Sequence, residues 1–171
     1  MSQIKIHHLS FAYEDAPEPI FEDLNLVLDS DWKLGFIGRN GRGKTTFLKI
    51  LTGELPYSGQ IQKSISFDSF PYLVPNQQAT CRMLWQQLAT EIPIWQAERE
   101  FALLQLPTDI LDRVFATLSQ GEQNKFLLAL LFLRENHFLL IDEPTNHLDI
   151  ASRQIVCRYL QKKKGFLLVL G

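Results

Sequence analysis

The chain opens with period-two patterning. Ile4 and Ile6, and later Leu24, Leu26 and Leu28, alternate with polar residues, which predicts two half-buried strands. The proline- and acid-rich stretch 15–19 reads as the loop between them. Residues 34–37 form a short apolar run ending in glycine-rich sequence. Residues 44–51 then read as a helix closed by Gly53, and Pro56, Ser58 and Gly59 as a turn before a strand over 60–70. From 79 to about 118 the spacing turns helical, with Leu84, Leu88, Phe101 and Leu104. Pro93 and Pro107 divide that stretch into two or three short helices. Ser119 opens another helix that carries the apolar run 126–133. A buried strand is predicted over 138–141, a helix over 151–160 and a last strand over 166–170. Strands alternating with helices predict an α/β fold with a mostly parallel, covered sheet. The early strands predict an antiparallel β subdomain beside it, and 79–118 a small helical subdomain.

At 171 residues and 46% hydrophobic content, one domain with its own core is expected. Seventeen basic and nineteen acidic side chains leave a formal charge of -2, without the positive surplus of a dedicated nucleic-acid binder. The first ten residues lack the apolar core of a secretory signal, and the run 126–133 is far shorter than the ~20 residues a bilayer requires. A soluble, cytoplasmic protein with no membrane partner on the same chain is therefore expected. Cys81 and Cys157 belong to no metal-spaced cluster and are expected as buried free thiols.

Chemistry enters at 38–45, Gly-Arg-Asn-Gly-Arg-Gly-Lys-Thr, which fits the phosphate-binding P-loop pattern in full. Gly38, Gly41 and Gly43, with Asn40 among them, let the backbone curl so that N–H groups converge on phosphate oxygens. The following helix adds the positive end of its dipole. Lys44 supplies a cation for the β- and γ-phosphates of ATP, the Thr45 hydroxyl a ligand for Mg²⁺, and Thr46 a further phosphate hydrogen bond. About one hundred residues on, the apolar run 138–141 ends in Asp142 and Glu143. Asp142 suits the Walker B task of steadying Mg²⁺, and Glu143 is placed to polarise the attacking water as general base.

Glu-Pro-Thr-Asn-His-Leu-Asp follows at 143–149, and Leu-Ser-Gln-Gly-Glu stands upstream at 118–122. Together these residues resemble the ATP-binding cassette (ABC) ATPase set of Walker A, signature, Walker B and D-loop, in the proper order. The signature normally reads Leu-Ser-Gly-Gly, and Gln120 departs from it. The resemblance implies an ABC-type P-loop NTPase domain binding ATP and Mg²⁺. Ser119, Gly121 and Glu122 are then expected to complete the site on a second ABC domain or, by self-association, on another copy.

The run 143–149 also resembles the ABC-F group, soluble proteins with two ATPase domains on one chain that act on the ribosome. The stretches 9–13, 32–35, 37–44, 70–71 and 162–166 are similar to its Lsa- and Vga-type antibiotic-resistance branch. That likeness implies ribosome protection against lincosamides, streptogramin A or pleuromutilins. It also implies that Tyr13 stacks on adenine. Tyr72 stands where the family places the glutamine that contacts Mg²⁺ and water. The family's switch histidine belongs near 170–171, so the resemblance implies a C-terminally incomplete ABC domain, weak in turnover, with Phe166 and Leu168 short of cover. Lys162–Lys164 reads as a solvated helix end, and His7 and His8 as strand or surface residues. An ATPase subunit of an ABC transporter, or an ATP-binding fragment without turnover, are the alternative readings.

Overall fold

The computed structural model describes residues 3–14, 16–39, 41 and 43–170. In β1 (Gln3–Phe11), Ile4, Ile6 and Leu9 are fully buried although they break strict alternation. The register shifts between Ile6 and Leu9, where His8 adopts φ 51°, and the extra residue of this bulge returns Leu9 to the inward face. β1 pairs antiparallel with β2 (Phe21–Asp29) on one side and β4 (Ser58–Gln62) on the other. Being a sheet edge, β2 leaves Leu26 and Val27 exposed.

Residues 60–70 form two strands instead of the expected one. The polar run 62–64 ends β4, and β5 (Ser66–Phe70) joins a second sheet. That sheet has the order β3-β7-β6-β5, with β3 (Lys33–Ile37), β6 (His137–Asp142) and β7 (Phe166–Leu170). β7 runs parallel to both β3 and β6. Residues 138–141 of β6 are all buried, as a strand covered on both faces requires. Phe166, expected to lack cover, is also buried on β7, an interior strand of the sheet, while Leu168 is half-buried. Open apolar surface falls instead on the edge strand β3, where Ile37 is 77% exposed.

α1 (Lys44–Thr52) buries Phe47, Leu48, Ile50 and Leu51 in one core with Ile4, Ile6, Leu9, Phe138, Leu140 and Val169. These strands and α1 form one compact unit, made of residues 1–69, 136–143 and 164–171. Residues 70–135 and 144–163 form a second.

The second unit is helical: α2 (Cys81–Leu88), α3 (Ile94–Leu103), two 3-10 turns (Ile110–Asp112 and Phe115–Thr117), α4 (Gln120–Leu133) and α5 (Ile150–Gln161). The prolines punctuate as expected, with Pro93 capping α3 and Pro107 following it. Thr80 caps α2 by accepting a hydrogen bond from the Met83 N–H. α4 is buried from Lys125 through Leu131, and Phe126 packs against the rings of Phe101 and Phe115.

Two sequence expectations change here. Cys81 is buried, which pushes its thiol pKa up to about 11, but Cys157 is exposed. Lys163 is not simply solvated. It pairs with the buried Glu100, which also accepts a hydrogen bond from the buried Tyr159 hydroxyl. Its ammonium also lies 4.7 Å from the Tyr159 ring centroid. A buried carboxylate needs such partners to offset its lost hydration. Among the described residues no helix is long and apolar enough to cross a membrane. Tyr159→Phe removes one donor from the buried carboxylate and is expected to cost about 1–3 kcal/mol, read in urea denaturation as a lower midpoint at unchanged slope.

Candidate functional site

The loop from Gly38 to Gly43 connects the end of β3 to the start of α1. Gly43 caps the helix at φ 86°, and a Cβ there would collide with Ile20 Cγ2 and lie 3.2 Å from the Phe21 ring. Only glycine fits both the left-handed backbone and that close approach. Gly43 has no side chain to cap α1, and the first turn of the helix carries the positive end of its dipole. Lys44 and Thr46 are buried in this turn, and the Lys44 ammonium donates to the Gly38 carbonyl. Asn40 lies outside the described residues.

Across from α1, β6 delivers Asp142 and Glu143. The Thr45 hydroxyl donates to Asp142 Oδ2 at 3.1 Å, joining residues ninety-seven positions apart. Glu143 sits at φ 46°, an uncommon conformation for a residue with a Cβ, and its N–H donates to the Val169 carbonyl at 3.2 Å. Burial raises the pKa of Asp142, and the neighbouring Glu143 charge adds to the rise; the Thr45 hydrogen bond and Lys44 oppose it. Tyr13 approaches from the end of β1, and its hydroxyl lies 3.0 Å from Thr46 Oγ1. Tyr13, Ile20, Gly41, Gly43, Lys44, Thr45, Thr46, Asp142 and Glu143 line one cleft of about 430 Å³. A hydroxyl and a carboxylate already within 3.1 Å of each other form an oxygen-only donor pair suited to Mg²⁺. The glycine cradle, lysine and helix N-terminus fit a polyphosphate.

Ser119, Gly121 and Glu122 belong to the helical unit. They begin α4 as a reciprocal capping box: Ser119 Oγ accepts from the Glu122 N–H at 3.2 Å, and Glu122 Oε2 accepts from the Ser119 N–H at 2.8 Å. Arg113 clamps the other Glu122 oxygen at 2.9 Å. Partial burial works against ionisation of Glu122, yet the Ser119 bonds and Arg113 hold its pKa below the usual carboxylate range. A Cβ on Gly121 would lie 3.3 Å from Ser152 Oγ, tighter than ordinary contact, so glycine suits the packing against α5. Gln120 turns along the helix and donates to Asn124 Oδ1 at 3.0 Å, so its side chain leaves the capping geometry intact. Asp149, in the D-loop, caps α5 through the Ser152 N–H at 2.7 Å.

The cleft thus gathers Tyr13, Gly41, Gly43, Lys44, Thr45, Thr46, Asp142 and Glu143, with Gly38 reached through Lys44. Ile20 and Arg113 carried no sequence signal. One is a lone apolar residue after a loop, the other a charge recognisable only by the partner it meets.

A parallel sheet whose strand feeds such a loop into a helix, with two carboxylates at a nearby strand end, defines the ABC-type P-loop NTPase fold. A family model described as ABC transporter matches residues 21–146, more than half of the chain, which therefore belongs to that family. It is 31% identical to the ABC transporter ATP-binding protein ARB1 of Saccharomyces cerevisiae, over 95% of this chain and 28% of that protein. It is 35% identical to the probable ATP-binding protein YheS of Haemophilus influenzae, over 86% of this chain and 24% of YheS. ABC transporter F family member 2 of Arabidopsis thaliana is 27% identical, over 99% of this chain and 26% of that protein. The chain thus spans well under a third of the length of each of these relatives. A solved ABC transporter ATP-binding protein from Pyrococcus furiosus shares the fold at TM-score 0.79 and 19% identity, covering 97% of this chain and 90% of that one.

The raised pKa of Asp142 gives a directional test. A carboxyl with a higher pKa folded than unfolded favours the fold while protonated, and that contribution is lost as pH rises through the folded value. In metal-free buffer, Asp142→Asn is expected to melt above wild type at neutral pH. The two curves should converge below the ordinary aspartate range, as followed by thermal denaturation across pH.

Proposed function

We propose that this chain is an MgATP-binding and MgATP-hydrolysing domain of an ABC-F-type protein that works on the ribosome. The observation that carries the reading is the Thr45–Asp142 bond at the mouth of the Lys44 loop. It supports the reading because a hydroxyl and a carboxylate suited to Mg²⁺ meet in the cleft that Lys44 also lines, where a lysine can receive the β- and γ-phosphates. Gly38, Asn40, Gly41 and Gly43 supply the amide cradle, Thr46 a further phosphate bond and Tyr13 a face for the base. Mg²⁺ supplies charge neutralisation between the phosphates when bound. Glu143, next to Asp142 on the same strand end, orients the attacking water and takes its proton.

Ser119, Gly121 and Glu122 serve the opposite side of a second site, on another ABC domain or another copy of this chain. The capping box supports that role because it leaves an ordered helix start whose N–H groups suit a γ-phosphate. Tyr72, standing where the family has glutamine, favours slow turnover relative to binding. The ribosome assignment rests on the Asn-His-Leu-Asp run at 146–149 and on ABC-F-type relatives. The finer role, protection against lincosamide, streptogramin A or pleuromutilin drugs, rests on the stretches 9–13, 32–35 and 37–44.

Calorimetry with MgATP is expected to show binding in wild type and in Glu143→Gln, and none in Lys44→Ala. Phosphate release is expected to fall roughly 100-fold or more in Glu143→Gln. Equal titration of Lys44→Ala and wild type would sink the nucleotide reading. Co-sedimentation of Glu143→Gln with ribosomes in MgATP tests the ribosome role. Partition into membranes with a transporter partner would replace that role with the transporter reading. Unchanged lincosamide sensitivity of cells expressing the protein would remove the resistance role.

A further inference from the structure

The formal charge of -2 conceals an uneven distribution. Residues 150–171 hold five of the seventeen Lys and Arg side chains and none of the nineteen Asp and Glu. Three of those cations, Arg153, Arg158 and Lys162, stand exposed on α5 and its C-cap. From the ribosome reading, on which the identity of the partner rests, we propose that the outer face of α5 docks on RNA through its phosphates.

The helix builds this face by dividing its residues. Val156, Tyr159 and Leu160 are buried in the helical unit, while Arg153, Gln154, Cys157, Arg158 and Gln161 lie open. At about 3.6 residues per turn, Arg153 on one side and Arg158 and Lys162 on the other straddle the uncharged residues between them. None of the three cations forms an ion pair or side-chain hydrogen bond among the described residues, whereas Arg82, Arg113 and Lys163 each meet a carboxylate. Asp149, the carboxylate nearest in sequence, is engaged in the helix cap, where it accepts from the Ser152 N–H and hydroxyl. The helix dipole accounts for cations in the last turn but not for Arg153 at the end of the first, where it opposes positive charge.

Unpaired cations spread over one face suit a partner with repeated negative charge, and a phosphate backbone supplies it while releasing counterions. A lipid surface fits poorly. The apolar side of α5 is already buried, and of its large apolar residues only Ile150 is exposed. An acidic protein segment shares the sign of charge, and the ribosome reading favours RNA over it.

The test is fluorescence anisotropy of this chain with a labelled RNA duplex of about 16 base pairs across KCl concentration, beside co-sedimentation with ribosomes. Wild type is expected to bind the duplex, with affinity falling steeply as salt rises. Arg153→Glu/Arg158→Glu/Lys162→Glu is expected to bind roughly 10-fold or more weakly and to lose about three units of the salt slope. A charge-matched control, Lys49→Glu/Lys63→Glu/Arg99→Glu, is expected to stay within about 3-fold of wild type, since screening confines each charge to its own surroundings. Should the α5 triple variant fail to fold, Arg158→Gln alone is expected to weaken binding about 2- to 5-fold and lower the slope by about one. Equal losses in the two triple variants, or no loss in the α5 variants, overturn the proposal. Tighter binding of wild type to poly-glutamate or to phosphatidylserine vesicles than to the duplex overturns it in favour of an acidic protein or a membrane. Ribosome co-sedimentation retained in full by the α5 triple variant overturns the docking face and leaves the ribosome reading standing. A wild type that binds the duplex through α5 but does not co-sediment with ribosomes removes the ribosome reading and leaves the face.

Discussion

The site depends on the burial of one short helix. α1 drives Phe47, Leu48, Ile50 and Leu51 into a core shared with β1, β6 and β7, and this packing sets where its first turn points. Lys44 and Thr46 are buried because they precede that apolar face on the same helix, not because burial suits them. A polar N-terminus held rigidly by apolar packing is an efficient phosphate receptor, since its N–H groups need no reorganisation. Gly43 completes the constraint. Its left-handed backbone allows the loop to enter α1 while Ile20 and Phe21 press against it.

The sheet order converts that local device into chemistry. β7 lies between β3 and β6, so the strand bearing the phosphate loop and the strand bearing the carboxylates are second neighbours. Asp142 and Glu143 emerge at the same end of the sheet as the loop because β3 and β6 both run parallel to β7. Ligand sites of parallel α/β sheets form at the carboxyl ends of their strands for this reason. The Thr45–Asp142 bond is the visible result, and it partly offsets the rise in the Asp142 pKa that burial and the neighbouring Glu143 charge impose.

The helical unit shows the same economy of polar groups. The Ser119–Glu122 box and the Asp149 cap each satisfy part of a helix start with a neighbouring side chain and so fix where that helix begins. Arg113 keeps Glu122 ionised, so the carboxylate accepts from both the N–H and the hydroxyl of Ser119. Lys163 and the buried Glu100 and Tyr159 form a second such cluster in the unit.

Local sequence was sufficient wherever a short stretch carries its own physics. The P-loop glycines, the buried run 138–141, the proline breaks at 93 and 107 and the Ser-x-x-Glu box at 119–122 all read directly, because backbone freedom, periodicity and capping are properties of neighbours in the chain. Relations between distant residues were not legible. Periodicity could not reveal that His8 bulges and turns Leu9 inward, that 60–70 divides between two sheets, or that Phe166 is enclosed by strands on both sides. Nor could it pair Lys163 with Glu100, Arg113 with Glu122 or Tyr13 with Thr46. Each of those depends on which elements the common core draws together, and one-dimensional pattern holds no record of that choice.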